Sequence, residues 1–397
     1  MDTGLDFYLS EMSASEKHGG GLTLHRVLGD DLKKIRYFIH ANRFADDMAP
    51  AADLAGKCIS KHSVWENDGV RRITGRTFAA KMRRKPSVIK KQAAELAKLA
   101  DKQLGAKKEL KALICPQGAD AICTLAELRQ RRNIKYITWV MDDHLVKYVD
   151  GSWKYDGWIE PIFARHLQQA DQVLVISPAM QAFYKERFGV ESTVVFGPAD
   201  DAASAVEFKT SVAAEGLKIG YFGAVARWQK DVLAAVAQSV QGANCSLDIY
   251  SAAEAVPGDI LLPGVNFKGR IAADKVLPTM QQYHAILLPI GFADGLRNMS
   301  QFNIATKMSE SLACGVPVLA IGPPYAAMTD YLKTHDAALV VERADAKSIR
   351  AAFEVFADGQ QINKILNNAA KLVASETGTA AMHGKWRAAY QHLIQSL

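Results

Sequence analysis

The sequence predicts an α/β protein made of two successive parallel-sheet domains of about equal size. Three observations predict it. Short apolar runs alternate with amphipathic stretches along the chain. The alternation is interrupted once, after Phe196, and then restarts. The 397 residues, 49% hydrophobic and 23% charged, are enough to bury more than one core. Strands that alternate with helices imply a parallel sheet covered by helices on both faces.

In the first half, residues 5–9, 35–39, 112–115, 136–141, 172–176 and 193–196 read as strands. Residues 87–104, 119–132 and 178–188 carry helical periodicity. The turn cluster Gly197-Pro198-Ala199-Asp200-Asp201 and an Ala/Ser-rich stretch up to Gly216 then break the pattern. A second set of strands follows at 217–222, 245–250, 265–267, 285–289, 317–321 and 338–341. Helical patterns fill 305–314 and 346–356, and two helices near 361–375 and 379–395 end the chain. The expected division is an N-terminal domain over 1–205, a C-terminal domain over 206–375 and a closing helix over 376–397. Ligands of such sheets bind at the carboxyl ends of the strands, and with two sheets the expected active site lies in a cleft where the domains face each other.

Cysteines number five, an odd count with no CxxC pair, which argues against a disulfide framework and against structural zinc. Free thiols fit a reducing compartment. No basic segment followed by an apolar core opens the chain, and no apolar run approaches the length of a membrane span. A cytoplasmic protein is expected. The net charge of +6 is uneven: over residues 71–111 basic side chains outnumber acidic ones nearly five to one. Such a stretch suits a solvated helix face or an anionic membrane surface. It has few interleaved aromatics and no recognisable binding motif, so no nucleic-acid partner is expected.

The most informative segment runs from Phe302 to Ala320, FNIATKMSESLACGVPVLA. It reads as a loop, a short helix, a glycine stop and a buried strand, with Gly315 at the left-handed position after the helix and Pro317 beyond it. Lys307 and Glu310 share one helix face near its start. Free N–H groups, the helix dipole and the lysine charge suit a diphosphate, and a carboxylate one turn on suits the two ribose hydroxyls. A surface Lys–Glu pair has the same spacing.

Near the N-terminus, His18-Gly19-Gly20-Gly21 follows the first strand and precedes a helix, so Gly20 and Gly21 are expected in a loop that lets a ligand approach the backbone. Met141-Asp142-Asp143-His144 follows the strand ending near Val140. One of Asp142, Asp143 or His144 is the candidate to orient or deprotonate an acceptor hydroxyl. The two carboxylates face opposite ways in an extended segment, and a helix N-cap at Asp142 or Asp143 is the structural alternative.

The segment around Lys307 resembles the S-x-P-T-K-x-x-E-Y-L-A-x-G-x-P-V signature of GT-B glycosyltransferases, especially glycosyltransferase family four. Thr306, Lys307, Glu310, Leu312, Ala313, Gly315, Pro317 and Val318 match, whereas Asn303 replaces Ser and Ala305 replaces Pro. Other segments resemble the family in the expected order: Ile219 to Ala224, with Gly223 in its glycine turn; Trp228; Ala170 to Ser177; Val195 to Asp200; and Trp386 in a helix that commonly returns to the first domain. The resemblance implies a GT-B fold of two Rossmann-like domains and sugar transfer from a nucleotide diphosphate sugar to an acceptor hydroxyl, in polysaccharide or glycolipid synthesis. It implies donor contacts from Arg227, Lys230, Asn303, Thr306, Lys307 and Glu310. Arg227 and Lys230 stand near the usual diphosphate cations, although Ala224 occupies the place of the arginine that usually follows the glycine. No metal or other cofactor is implied. The expected partners are the nucleotide sugar, a saccharide or lipid-linked saccharide, and a membrane surface at 71–111. Many retaining relatives carry a Glu eight positions before the ribose-binding Glu; here that residue is Phe302. A nucleotide-sugar epimerase and a binding protein without catalysis therefore remain alternatives on the same fold.

Overall fold

The computed structural model describes residues 4–48, 54, 56–199 and 216–395. Asp200, Asp201, the Ala/Ser-rich stretch to residue 215 and the expected boundary at 205/206 lie outside the described residues. The chain forms two units, Met1–Gly197 with Met382–Leu397, and Pro198–Ala381.

The first unit contains β1 (Phe7–Ser10), β2 (Tyr37–His40), β3 (Lys57–Ser60), β4 (Glu109–Cys115), β5 (Asn133–Val140), β6 (Lys147–Val149), β7 (Ser152–Lys154), β8 (Gln172–Val175) and β9 (Thr193–Val194). Seven of them make one parallel sheet in the order β3-β2-β1-β4-β5-β8-β9. β1 and β4 are almost wholly buried, as expected for strands covered on both faces. Helices Pro86–Gln103 and Ala119–Arg129 pack on this sheet through Leu96, Ala97, Ala100, Ala121, Leu125 and Leu128. The direction of strand winding reverses between β1 and β4, which marks the switch point where ligands gather.

Two features were not expected from the sequence. β3 is an edge strand in which only Ile59 is fully buried, so it lacks the apolar run of its neighbours. β6 and β7 form an antiparallel hairpin turned by Asp150 (φ 51°) and Gly151 (φ 74°), positive at both central residues. The segment Met382–Leu397 belongs to the first unit. Its Trp386 is buried and donates from Nε1 to Asp31 Oδ2 at 3.1 Å, while His383 Nδ1 meets the Val27 carbonyl at 2.9 Å.

The second unit contains β10 (Leu217–Phe222), β11 (Cys245–Tyr250), β12 (Val265–Gly269), β13 (Ala285–Pro289), β14 (Val318–Ile321) and β15 (Leu339–Val341). They form a parallel sheet in the order β12-β11-β10-β13-β14-β15, with its switch point between β10 and β13. Its core includes Ile219, Leu247, Ile249, Leu287, Leu319 and Ile321. Among the described residues, no helix is long and apolar enough to cross a membrane.

Candidate active site

The second unit places a lysine ammonium at its switch point. β10 ends in Phe222 and Gly223, and the Gly223 N–H donates to the Tyr250 carbonyl at 2.8 Å. The ring of Phe222 stacks on Tyr250 with centroids 4.7 Å apart and planes 5° apart. Lys307 opens the helix Lys307–Ala313 and lays its ammonium beside Gly223, 5.7 Å from the centre of the Tyr221 ring. A Cβ at Gly223 would meet Lys307 Nζ and lie 2.8 Å from the Tyr221 hydroxyl oxygen, so a side chain here would displace the ammonium from this place. Tyr221 in turn donates to the Ala224 carbonyl at 2.6 Å.

Burial lowers the Lys307 pKa to about 8, against the partial compensation of Glu310. A lysine desolvated in this way gains most from a strong anion placed beside it. The helix it starts is only seven residues long, and the Gly223 N–H is already bonded. The ammonium, more than free backbone N–H groups, is therefore the anion-attracting element. Glu310 lies one turn on, half-buried, and Gly315 ends the segment at φ 76° as its sequence position predicts. Asn303 and Thr306 are half-buried on the approach to the helix.

The two loops at the switch point are fastened together. Asp231 Oδ2 accepts from the Phe292 N–H at 2.7 Å, Ser300 Oγ donates to the Gly291 carbonyl at 2.8 Å, and a Cβ at Gly291 would collide with the Trp228 carbonyl. Arg227 and Trp228 are exposed on the first of these loops. Lys230 is exposed and paired with Asp259 at 3.2 Å, so its charge is directed to a neighbouring loop. Arg297 holds its guanidinium 4.2 Å from the centre of the Tyr325 ring. Asp231 and Arg297 carry no motif that would have singled them out. Phe302 is buried, so the position that holds an acid in many relatives of the resemblance holds a core side chain here.

The first unit gathers polar residues at the carboxyl ends of β1, β4 and β5. Glu11 follows β1, is buried, and accepts from the Gln117 N–H at 3.0 Å and the Ala121 N–H at 2.8 Å. Burial, followed by the nearby Asp120, raises its pKa to about 7. Gln117 donates from Nε2 to Asp142 Oδ2 at 3.2 Å, so Glu11 positions the residue that positions Asp142. The sequence reading overlooked Glu11, although an acid directly after a buried strand at a sheet's carboxyl end is a usable signal.

Asp142 is half-buried and His144 is exposed. Asp143 points the other way and is fully enclosed. Its Oδ1 accepts from the Leu145 and Val146 N–H groups at 2.9 and 3.1 Å, and its Oδ2 from the Tyr155 and Tyr184 hydroxyls at 2.7 and 2.9 Å. Burial pushes its pKa up, and the four donors pull it back. Asp143 thus closes a turn that leads into β6 and caps no helix, and its enclosure separates it from its two neighbours.

Gly20 and Gly21 require a correction. They lie in the first turn of helix Gly19–Leu28, not in a loop. His18 caps that helix: its Nδ1 accepts from the Gly21 N–H at 3.1 Å, while its Nε2 donates to the Ser13 carbonyl at 3.0 Å. A Cβ at Gly20 would collide with Met12 Sδ, and one at Gly21 with the Ser15 carbonyl. The close approach these glycines permit is thus to the chain's own backbone and to Met12.

No protein-family model matches the sequence, and no curated protein matches it. Solved structures do match. A glycosyltransferase from Rickettsia africae is 12% identical, over 99% of this chain and 100% of that one, with a TM-score of 0.65. HepE of Anabaena in complex with UDP-glucose is 13% identical, over 98% and 99%, with a TM-score of 0.61. A UDP-forming α,α-trehalose-phosphate synthase from Burkholderia vietnamiensis is 9% identical, over 99% and 99%, with a TM-score of 0.62. The chain has the GT-B fold that the sequence predicts, two parallel-sheet Rossmann-like units in succession.

Proposed function

We propose that the protein transfers a sugar from a nucleotide diphosphate sugar to an acceptor hydroxyl. The observation that carries the reading is the Lys307 ammonium, desolvated beside Gly223 at the switch point of the second sheet, with Glu310 one turn on. Lys307 takes the diphosphate and Glu310 the ribose hydroxyls. Thr306, Asn303 and the exposed Arg227 border them, and Lys230 joins only by releasing Asp259. HepE was solved with UDP-glucose, and the trehalose-phosphate synthase is UDP-forming, so UDP sugars are the first donors to test.

In the reaction a bond forms between the acceptor oxygen and the anomeric carbon as the bond from that carbon to the diphosphate oxygen breaks. The diphosphate leaves with the electron pair, and Lys307 neutralises the charge it gains. Asp142, held by Gln117, receives the acceptor proton, and exposed His144 borders it. The acceptor is a saccharide or lipid-linked saccharide, with the basic stretch 71–111 turned to a membrane. Retention at the anomeric carbon, the outcome that the resemblance implies, requires the acceptor to attack on the face from which the diphosphate leaves.

Isothermal titration of UDP, GDP, ADP and their sugars tests the donor site. A donor present at 100 times its dissociation constant also adds about 2.7 kcal/mol of stability, visible as a thermal shift. Glu310→Ala loses one or two hydrogen bonds to a charged group, about 1.5–3 kcal/mol each, and is expected to bind the donor at least about tenfold more weakly. Folded wild-type protein that binds none of these nucleotides would end the transferase reading. Asp142→Asn is expected to retain donor affinity while release of nucleoside diphosphate under turnover falls by about 100-fold or more. Undiminished turnover in that variant removes Asp142 from the chemistry. Binding without transfer is the second reading, supported by buried Phe302 where many relatives place an acid.

A further inference from the structure

Residues 69–94 contain five arginines and four lysines and no acidic residue. They fold as helix Asp68–Thr74, helix Arg76–Arg83 and the first half of helix Pro86–Gln103. The first two helices meet at Gly75, whose φ of 85° suits glycine, and the turn Val64–Glu66 precedes them.

This elbow is anchored to the first unit. Arg83 turns inward, 3.0 Å from Glu66 and 2.8 Å from Asp120. Arg43 donates to the Glu66 carbonyl and to Asp68, both at 2.8 Å. Trp65 packs edge-on against Phe78 with centroids 5.9 Å apart. The anchored elbow nevertheless leaves large apolar side chains in water: Ile73 is 87% exposed, Val64 62% and Phe78 50%. Arg72, Arg76, Lys81, Arg84 and Lys85 are exposed on the same two helices and the residues that follow them.

We propose that this elbow seats the protein on an anionic lipid bilayer, with Val64, Ile73 and Phe78 entering the boundary between headgroups and acyl chains and the surrounding cations on lipid phosphates. Charge complementarity and exposed apolar surface together select this occupant. A nucleic acid or other polyanion would use the cations and leave Ile73 and Val64 in water, whereas a bilayer interface satisfies both. The proposal deepens the membrane contact of the proposed function. It shares no residue with the donor site, so vesicle binding and nucleotide binding succeed or fail separately.

The test is sedimentation of the full chain with vesicles of phosphatidylcholine alone and of phosphatidylcholine containing one-third phosphatidylglycerol, at low and high salt. Binding is expected only to the anionic vesicles and is expected to weaken with salt. Arg76→Gln with Lys81→Gln and Arg84→Gln should lower the partition coefficient on the order of 100-fold, at about fivefold per cation. Ile73→Ser with Phe78→Ser should lower it at least about tenfold at constant charge. All variants alter exposed positions, and an unchanged circular-dichroism melt confirms the fold. Equal binding to both vesicles, undiminished binding by the apolar variant, or binding to heparin or duplex DNA with none to anionic vesicles would each overturn the proposal.

Discussion

Lys307→Met is expected to weaken nucleoside diphosphate binding by about 10- to 150-fold, the value of one charge-assisted contact to the diphosphate. The same change should leave the unliganded protein as stable as wild type or more stable. The reason is the sign of the pKa shift. A lysine whose pKa falls to about 8 in the fold carries its charge at a disadvantage relative to the unfolded chain. Between about pH 8 and the unfolded lysine value the unfolded state binds more protons, so stability rises with pH through that window. Below it the penalty is fully present, at most about 3 kcal/mol and less to the extent that water reaches the half-buried ammonium. Methionine keeps the packing and removes that penalty.

Donor binding should report the same group from the other side. A diphosphate selects the protonated lysine. Affinity is therefore expected to be nearly constant from pH 7 to about 8 and to fall up to tenfold per pH unit above it. The Lys307→Met variant should lose this dependence. Calorimetry of the two proteins across pH, paired with thermal melts, measures both halves. A variant that is less stable and binds donor normally would return Lys307 to the role of an ordinary helix-start residue.

The α/β fold was legible because its strands are buried on both faces and read as apolar runs. β1, β4, β5 and β10 all stand where such runs occur. β3 escaped because an edge strand with the sequence KCIS buries only Ile59. The β6–β7 hairpin escaped because it is short and exposed, although its Asp150-Gly151 turn was a readable signal. At the proposed donor site, the placing of Lys307 and Glu310 on one helix was legible because one helical turn fixes their spacing. The contact between Lys307 and Gly223 was not, since it joins the ends of elements 84 residues apart. The glycines after His18 misled for a physical reason. Glycine marks close backbone approach without saying to what, and here the partners are Ser15 and Met12.

Asp143→Ala is expected to cost the first unit about 3–5 kcal/mol, the usual effect of removing one member of a buried charged network. The carboxylate is the common acceptor for the Leu145 and Val146 N–H groups and for the Tyr155 and Tyr184 hydroxyls. Alanine leaves all four buried donors without it. Tyr184 packs edge-on against Phe163 with centroids 5.7 Å apart, so the two hydroxyls cannot easily swing to solvent. At about 2–4 °C per kcal/mol for a unit of this size, the melting transition of the first unit should fall by on the order of 10 °C. Asp143→Asn retains one acceptor oxygen and should cost less. Tyr155→Phe and Tyr184→Phe should each cost about 1–2 kcal/mol, and neither should add fully to Asp143→Ala in a double-mutant cycle, because the three share one acceptor. Donor affinity, which the proposed function assigns to the second unit, should persist in every variant that remains folded. The opposite pattern, an unchanged melt with lost turnover, would place Asp143 in the chemistry beside Asp142 and displace the structural role that its four donors define.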